Sequence, residues 1–267
     1  MKTIKILCLH GKGTSAEIFK AQTVSFRQLM KDSIHLDFHF VDGPLDTSAA
    51  AGIDLFYGPP YYAFWEEENA TETQAAQTWL ADLIAESGPF DGVMMFSQGC
   101  ILGASMLLRH QIQNPHQPPP FKFAIFICGG APLREMESLG YSIAPNVWER
   151  DRLSKYALHY KAGLSAILSQ GSARWTEVDT SITAEDLAEE ITGPSGSCPI
   201  KIPSVHIYGS KDPRYYSGMQ LANLFDKQTR RTYDHQGGHE IPRTEAISRK
   251  IMDLVNWAAI SGVGYDG

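Results

Sequence analysis

The sequence predicts an α/β fold with a mostly parallel, doubly wound sheet, helices on both faces and lid-like loop insertions. Short apolar segments alternate with amphipathic ones, as in proteins whose parallel strands are joined by helices. One apolar segment runs directly into a serine that is followed by small residues. Two stretches, at about 42–68 and 131–203, interrupt the alternation and are expected to form lid and pocket walls. The 267 residues fit a single domain over 1–267.

The individual elements follow from short apolar runs and from helical spacing of apolar residues. The apolar runs predict strands over 3–9, 34–41, 92–96, 122–128, 204–208 and 230–233. Helical spacing predicts helices over 15–30, 71–86, 98–111, 216–227 and 243–259. In the helix over 71–86, Thr71 is the predicted N-cap and Gln74 stands in the capping-box position.

The apolar strand that ends in a serine has the layout of a nucleophile elbow. Strand 92–96 leads into Ser97, and Gly99 and Gly103 keep the start of the next helix slim. In the α/β-hydrolase fold this sharp turn exposes a serine hydroxyl at the top of the sheet. The usual pattern is G-x-S-x-G, and Met95 stands here in place of the first glycine. Because methionine is unbranched and flexible, it can bend out of a tight gap.

The two partners that such a serine needs follow it in the chain. Asp212 comes after the apolar strand over 204–208, and His239 lies between glycines and a proline after the strand over 230–233. Nucleophile, then acid, then histidine is the chain order of the α/β-hydrolase fold. Each residue alone would be ordinary loop chemistry. Together they predict Ser97 as nucleophile, His239 as general base and acid, and Asp212 as the group that orients the imidazole.

Two backbone N–H groups are predicted to stabilise a developing oxyanion. One belongs to Gln98, directly after the serine, and the other to Lys12 in the loop after the first strand. A phosphate-binding loop is the competing interpretation, since Gly-Lys-Gly-Thr follows a strand. The motif G-x-x-x-x-G-K-[ST] would need glycine at position 6 and Ser or Thr at position 13, where the chain has Ile6 and Gly13.

Aromatic residues crowd the first of the two long insertions. Together with Met95 they are the predicted walls of a substrate pocket over the serine. The set comprises Tyr57, Tyr61, Tyr62, Phe64, Trp65 and Met95. An equally weighted alternative is that the aromatic residues pack a lid against the body of the protein.

Composition excludes several other classes of protein. The net charge of −7 argues against nucleic acid as a partner, because phosphate binding requires clustered Lys and Arg. The sequence shows no convincing secretory signal. It also has no apolar run of the about 20 residues that a membrane span needs. The four cysteines form no C-x-x-C pair, which favours a reduced, cytoplasmic protein. His10 has no H-x-H or H-x-x-x-H partner, so we expect a loop-fixing hydrogen bond rather than a metal, and no cofactor.

Short motifs along nearly the whole chain resemble the fungal FSH family of serine hydrolases, which is similar to the human ovarian-cancer-associated hydrolase. The matching segments are residues 7–11, 42–44, 58–65, 96–99, 208–213 and 237–242. The family pattern has glycine at the position of Met95.

The resemblance implies a serine hydrolase that acts on esters or thioesters through an acyl-enzyme. It further resembles trans-acting thioesterases of fungal polyketide pathways, which implies an acyl carrier domain as partner and release by hydrolysis or by lactonisation. Two alternatives stay open: a general carboxylesterase of small apolar esters, and a non-catalytic ligand-binding protein on the same scaffold. A peptidase is less favoured.

Overall fold

A six-stranded parallel sheet forms the centre of the protein in a computed structural model that describes residues 3–30, 34–176 and 182–264. The sheet strands are β1 (Ile4–Leu9), β2 (Leu36–Val41), β5 (Gly92–Phe96), β6 (Phe123–Ile127), β9 (Ser204–Tyr208) and β10 (Arg230–Asp234). Their order in the sheet is β10-β9-β6-β5-β1-β2. Two short antiparallel pairs lie outside it, β3 (Leu45–Asp46) with β4 (Tyr62–Ala63) and β7 (Ser142–Ile143) with β8 (Ile191–Thr192).

Helices cover both faces of this sheet, as the alternating pattern predicts for an α/β-hydrolase fold. In chain order they are α1 (Ala16–Gln22), α2 (Val24–Gln28), α3 (Ala70–Ser87), α4 (Gln98–Gln113), α5 (Leu133–Ser138), α6 (Pro145–Ala162), α7 (Leu164–Gln170), α8 (Ala184–Glu189), α9 (Tyr215–Asn223) and α10 (Glu245–Val263). None of the helices within the described ranges is both long and apolar enough to cross a bilayer.

Side chains of each central strand alternate between two hydrophobic cores. In β5, Val93 and Met95 enter the core shared with α3 and α4, whereas Met94 and Phe96 enter the core shared with α1, α2 and α10. All five residues of β5 are buried. A parallel strand that is covered on both faces is apolar at every position, which explains why the apolar run over 92–96 predicts a strand.

Several predicted helices differ from the structure in their bounds; the helix predicted over 216–227, for example, is α9 and ends at Asn223. The helix predicted over 15–30 is two helices, α1 and α2, which meet at Thr23. The hydroxyl of Thr23 donates to the carbonyl of Phe19, so it competes locally with a continuous helix. Helix α3 has Asn69 as its N-cap rather than Thr71, since the Asn69 side chain accepts from the N–H of Glu72.

The two insertions lie beside the carboxyl ends of the strands. The first contains β3 and β4, and it is joined to the loop after β1 by backbone hydrogen bonds between Gly13 and Tyr62 and between Ala50 and Gly13. The second holds α5 to α8 and the β7–β8 pair. Both insertions therefore flank the edge of the sheet from which the candidate catalytic loops leave.

Candidate active site

Ser97 lies at the junction of β5 and α4 in a strained backbone conformation. Its φ of 50° and ψ of −111° are rare for a residue with a side chain, and such strain is typical of a nucleophile elbow. The N–H of Gly99 donates to the carbonyl of His10, which draws the start of α4 against the loop after β1. A Cβ on Gly99 would lie 2.5 Å from the carbonyl oxygen of Leu9, so only glycine fits there.

Met95 fits into the elbow because Gly103 gives it room. Met95 is fully buried and points into the core beneath α4. A Cβ on Gly103 would overlap the Met95 sulfur, so the glycine one turn further along the helix accommodates the larger side chain. The departure from the usual pattern is thus compensated inside the core, away from the serine hydroxyl.

The structure brings Ser97, His239 and Asp212 into one hydrogen-bonded series. Nε2 of His239 lies 2.9 Å from the Ser97 hydroxyl, and Nδ1 lies 2.7 Å from Oδ2 of Asp212. Because the carboxylate accepts the proton on Nδ1, Nε2 is left free to accept the serine proton. The other carboxylate oxygen of Asp212 accepts from the backbone N–H of Arg214 at 2.8 Å. This is the geometry that a base-activated serine requires.

Lys12 and Gln98 both line the cavity at Ser97, and their side chains are engaged elsewhere. Nζ of Lys12 lies 2.7 Å from a carboxylate oxygen of Glu66, so this side chain is paired with Glu66. The amide of Gln98 accepts from the N–H of Phe64 and donates to the carbonyl of Trp65. The side chain of Gln98 thereby fastens the first insertion to the elbow, and neither side chain is directed at the Ser97 hydroxyl.

His10 acts as a brace for the loop that carries Lys12. Its Nδ1 lies 2.7 Å from the carbonyl of Gly11, and its Nε2 accepts from the N–H of Gly43 at 2.9 Å. Its ring is fully buried and stacks on Phe64. Burial lowers the pKa of His10 below its ordinary value, so the ring stays neutral. These contacts agree with the loop-fixing role expected for this residue.

A cavity of about 290 Å³ opens beside Ser97. Its apolar lining includes Trp65, Ile101 and Leu158. The charged residues of the lining are Lys12, Glu66, Glu68, Lys155 and Arg214. The cavity thus combines apolar and charged walls.

Of the six residues predicted to line the pocket, Trp65 reaches this cavity. Tyr57, Tyr61, Tyr62, Phe64 and Met95 lie elsewhere. Phe64 is buried against His10 and Trp79, and Met95 is in the core under α4. The hydroxyl of Tyr61 donates to the carbonyl of Tyr57, whose own hydroxyl accepts from Arg243. Most of this aromatic segment packs the insertion against the body, as the alternative interpretation had it.

Sequence reasoning missed an ionic chain of which three members, Glu68, Lys155 and Arg214, line the cavity. Lys155 of α6 pairs with Glu68 of the first insertion and with Asp151 one turn earlier, both at 2.7 Å. Asp151 also pairs with the buried Arg214 at 2.8 Å, two residues after Asp212 in the chain. Burial would raise the pKa of Asp151, but Arg214 and Lys155 outweigh it and hold that pKa below its ordinary value. The nearness of Arg214 to Asp212 was the one available signal.

Cys128, Asp212 and His239 form the one group in the described ranges whose side chains could hold a metal ion. Their ligand atoms lie within 4.8 Å of one another. Burial and the charge of Asp212 raise the pKa of the Cys128 thiol well above its ordinary value, so the group is a neutral thiol rather than a thiolate ligand. The other two residues already bond each other, so this cluster favours proton transfer over metal binding.

Known proteins with similar sequences include fungal esterases and hydrolases. The chain is 32% identical to Esterase FPY3 of Fusarium mangiferae in an alignment of 263 positions that covers 96% of this chain and 99% of that protein. It is 29% identical to Esterase alnB of Emericella nidulans, over 95% of this chain and 96% of that protein. It is 28% identical to Hydrolase FUB4 of Fusarium oxysporum, over 97% and 99% of the two chains.

Among solved structures, the crystal structure of Arabidopsis thaliana SOBER1 matches 96% of this chain and 99% of that chain, with a TM-score of 0.48 and 14% identity. The model of the serine hydrolase family FSH1 matches residues 1–251, which include all the residues of the Ser97, Asp212 and His239 series. This match covers nearly the whole chain, and the chain therefore belongs to the FSH1 serine hydrolase family.

Proposed function

We propose that this serine hydrolase works through an acyl-enzyme on Ser97, with His239 as general base and acid and Asp212 as its orienting partner. The observation that carries the proposal is the unbroken series of two hydrogen bonds, 2.9 and 2.7 Å long, from the serine hydroxyl to the buried carboxylate. His239 takes the hydroxyl proton as Oγ attacks the carbonyl carbon. Asp212 stabilises the imidazolium that forms.

The negative charge that develops on the substrate oxygen needs donors on the other side of the serine. We assign the backbone N–H groups of Lys12 and Gln98 to this role, each worth about 10²–10³ in rate by comparison with other oxyanion holes. When the tetrahedral intermediate collapses, the alcohol or thiol leaves with the proton held by His239. Water or a hydroxyl of the acyl chain then attacks the ester on Ser97 by the same route.

For the substrate we propose an acyl thioester on a carrier domain, with the enzyme acting as a trans-acting thioesterase of a polyketide pathway. The support is the resemblance of the motifs along the chain and the cavity, which at about 290 Å³ is near the lower end for a drug-sized ligand. Hydrolysis and lactonisation are both compatible with a cavity whose walls are partly apolar. Ser97 opens directly into it, so a folded-back chain could supply its own hydroxyl.

The first test is covalent labelling. A fluorophosphonate probe should label Ser97 in the wild type and should not label Ser97→Ala, whose turnover should fall by about 10⁴ or more. Ser105→Ala is a matched control, because Ser105 is a serine of α4 whose hydroxyl only donates to the carbonyl of Ile101. Equal labelling of wild type and Ser97→Ala would overturn the assignment.

The second test concerns the substrate. A hydroxyacyl-N-acetylcysteamine thioester and a short p-nitrophenyl ester should be offered side by side, with the products identified by mass spectrometry. Faster turnover of the thioester supports the thioesterase, and the product, free acid or lactone, identifies the fate of the acyl-enzyme. Preference for the simple ester would favour the general carboxylesterase, and binding without turnover of either would favour the non-catalytic protein.

A further inference from the structure

Cys128 lies directly behind the loop that carries His239. It follows the last residue of β6, is 2% exposed, and has a φ of 48°, a conformation that is unfavourable for a residue with a side chain. It also lines the cavity at Ser97. No step of the proposed mechanism uses this thiol. A buried group held in a strained conformation beside a catalytic base points to a role at that site.

The thiol contacts the backbone on both sides of the catalytic histidine. Its sulfur lies 3.4 Å from the carbonyl oxygen of Glu240 and 4.0 Å from that of Gly238. Because burial and Asp212 keep the thiol protonated, the S–H group is available as a donor to these carbonyls. The two acceptors belong to the residues immediately before and after His239, so the thiol supports the backbone from which the imidazole projects.

His235 closes this contact from the other side. The N–H of Gly237 donates to Nδ1 of His235 at 3.2 Å, which leaves the ring proton on Nε2. That Nε2 lies 3.8 Å from the Cys128 sulfur, within reach of a weak N–H to sulfur contact. Burial lowers the pKa of His235, so the ring is neutral and the tautomer is fixed by Gly237. The sulfur therefore accepts a weak hydrogen bond from His235 Nε2–H, and the thiol S–H points toward the carbonyls of the loop.

The loop that carries His239 also makes contacts with Trp175 and with the segment before Asp212. On its opposite side, a Cβ on Gly238 would overlap the ring of Trp175, so the loop lies between an indole and a thiol. Gly237 contributes its carbonyl to the N–H of Lys211, which ties the loop to the segment that leads to Asp212. A displacement of the loop would thus alter the bond from His239 to Ser97 and the bond to Asp212 together.

We infer that Cys128, seated between His235 and the carbonyls that flank His239, is a positioning residue that holds the general base in register with Ser97 and Asp212. The inference rests on the proposed function and deepens it. It makes Cys128 neither a nucleophile nor a ligand. Displacement of a reacting group by about 1 Å costs about 10²-fold in rate, so a small shift of this loop would be visible in turnover.

The test compares Cys128→Ala and Cys128→Gly with Cys8→Ala. Alanine keeps the Cβ and hence the strained φ, whereas glycine adopts a positive φ freely, so the two variants separate the thiol from the backbone strain. Cys8 is a matched control because it is a fully buried cysteine of β1 whose thiol donates to the carbonyl of Ile6 and packs in the core, away from His239. We expect kcat to fall about tenfold or more in both Cys128 variants with KM nearly unchanged, and kcat to stay within about twofold in Cys8→Ala.

The rate at which a fluorophosphonate labels Ser97 should fall in the same proportion as kcat, since labelling needs the same base. A role in stability alone would lower the melting temperature and leave kcat per labelled site unchanged, and that result would overturn the inference. If Cys128→Ala does not fold, Cys128→Gly decides the question by the same criterion. Failure of the wild type to label would instead overturn the acyl-enzyme mechanism, so the two proposals fail separately.

Discussion

At the scale of single residues, the elbow depends on two glycines with different neighbours. Gly99 faces backbone, the carbonyl oxygens of Leu9 and His10, which cannot move without shifting β1. Gly103 faces the Met95 side chain, which is flexible. The same glycine-to-alanine change should therefore have different consequences at the two positions.

Gly99→Ala should abolish most activity and lower the free energy of unfolding by about 1–3 kcal/mol, because overpacking here forces the backbone apart. The turn would move together with Ser97 and the N–H of Gln98. The measurement is kcat per labelled serine alongside a urea unfolding curve. Full activity in a stable Gly99→Ala protein would contradict the account of the elbow.

Met95 and Gly103 should behave as a coupled pair. Gly103→Ala alone should be destabilising, and Met95→Ala alone should cost about 2–5 kcal/mol because it leaves a cavity in the core. In the double variant the new methyl group enters part of the space that the methionine has left. The double variant should be more stable than the sum of the single losses predicts, by about 1 kcal/mol or more in a double-mutant cycle. Strict additivity would show that the two positions do not contact each other.

At the scale of elements, helix α6 is fastened on both sides of the cavity by the ionic chain of Glu68, Lys155, Asp151 and Arg214. The two cations of the ionic chain, Arg214 and Lys155, differ in how far their side chains are exposed to solvent. The side chain of Arg214 is 6% exposed and that of Lys155 is 43% exposed. Removing one member of a buried pair takes a counter-charge from a partner that is shielded from water, whereas the attraction within an exposed pair is largely screened by water and salt.

Arg214→Met should therefore lower the free energy of unfolding by about 1.5–3 kcal/mol, and Lys155→Met by about 1 kcal/mol or less. Asp151 keeps a partner in either single variant but loses the desolvated one in Arg214→Met. Urea unfolding at two salt concentrations measures both effects, and only the Lys155 variant should differ less from the wild type at high salt. Equal losses would mean that burial does not distinguish the two ends of the chain.

At the scale of the whole molecule, the parallel sheet gathers the site from distant parts of the sequence. The loops after β1, β5, β9 and β10 carry Lys12, Ser97, Asp212 and His239, and all leave the same edge of the sheet. The sheet also buries His206 completely, in β9 between Phe126 and Phe225. Burial, together with the nearby Arg230, lowers the pKa of His206 from 6.5 to about 3.

This buried histidine makes stability depend on pH. Between pH 6.5 and about 3 the unfolded chain binds a proton at His206 that the folded protein does not bind, so the free energy of unfolding should fall as the pH falls through this range. The total should be on the order of a few kcal/mol. His206→Phe combined with Ser204→Ala, which removes the hydroxyl that His206 contacts, should flatten the slope in urea unfolding. The exposed His116→Gln should not, and an unchanged slope in the double variant would contradict the prediction.

The sequence predicted the central architecture, because a buried parallel strand is apolar at every position. It also named Ser97, Asp212 and His239, which the structure joins by hydrogen bonds because the residues after such strands meet at one edge. It did not predict the cavity walls. Tyr57 to Trp65 look alike as a string of aromatic residues, yet only packing decides that Trp65 faces Ser97 while Phe64 stacks on His10. The ionic chain was equally unreadable, since Glu68, Asp151 and Arg214 meet across 146 positions of chain and carry no local pattern.

The distribution of the four cysteines allows a dye to be attached to the second insertion alone. Cys8, Cys100 and Cys128 are buried, whereas Cys198 is exposed and lies at the end of the second insertion, after β8. A maleimide dye should therefore attach at Cys198 in the native protein without any engineering of the other thiols. Quenching or anisotropy of that dye would report whether the insertion moves when an acyl group is loaded on Ser97.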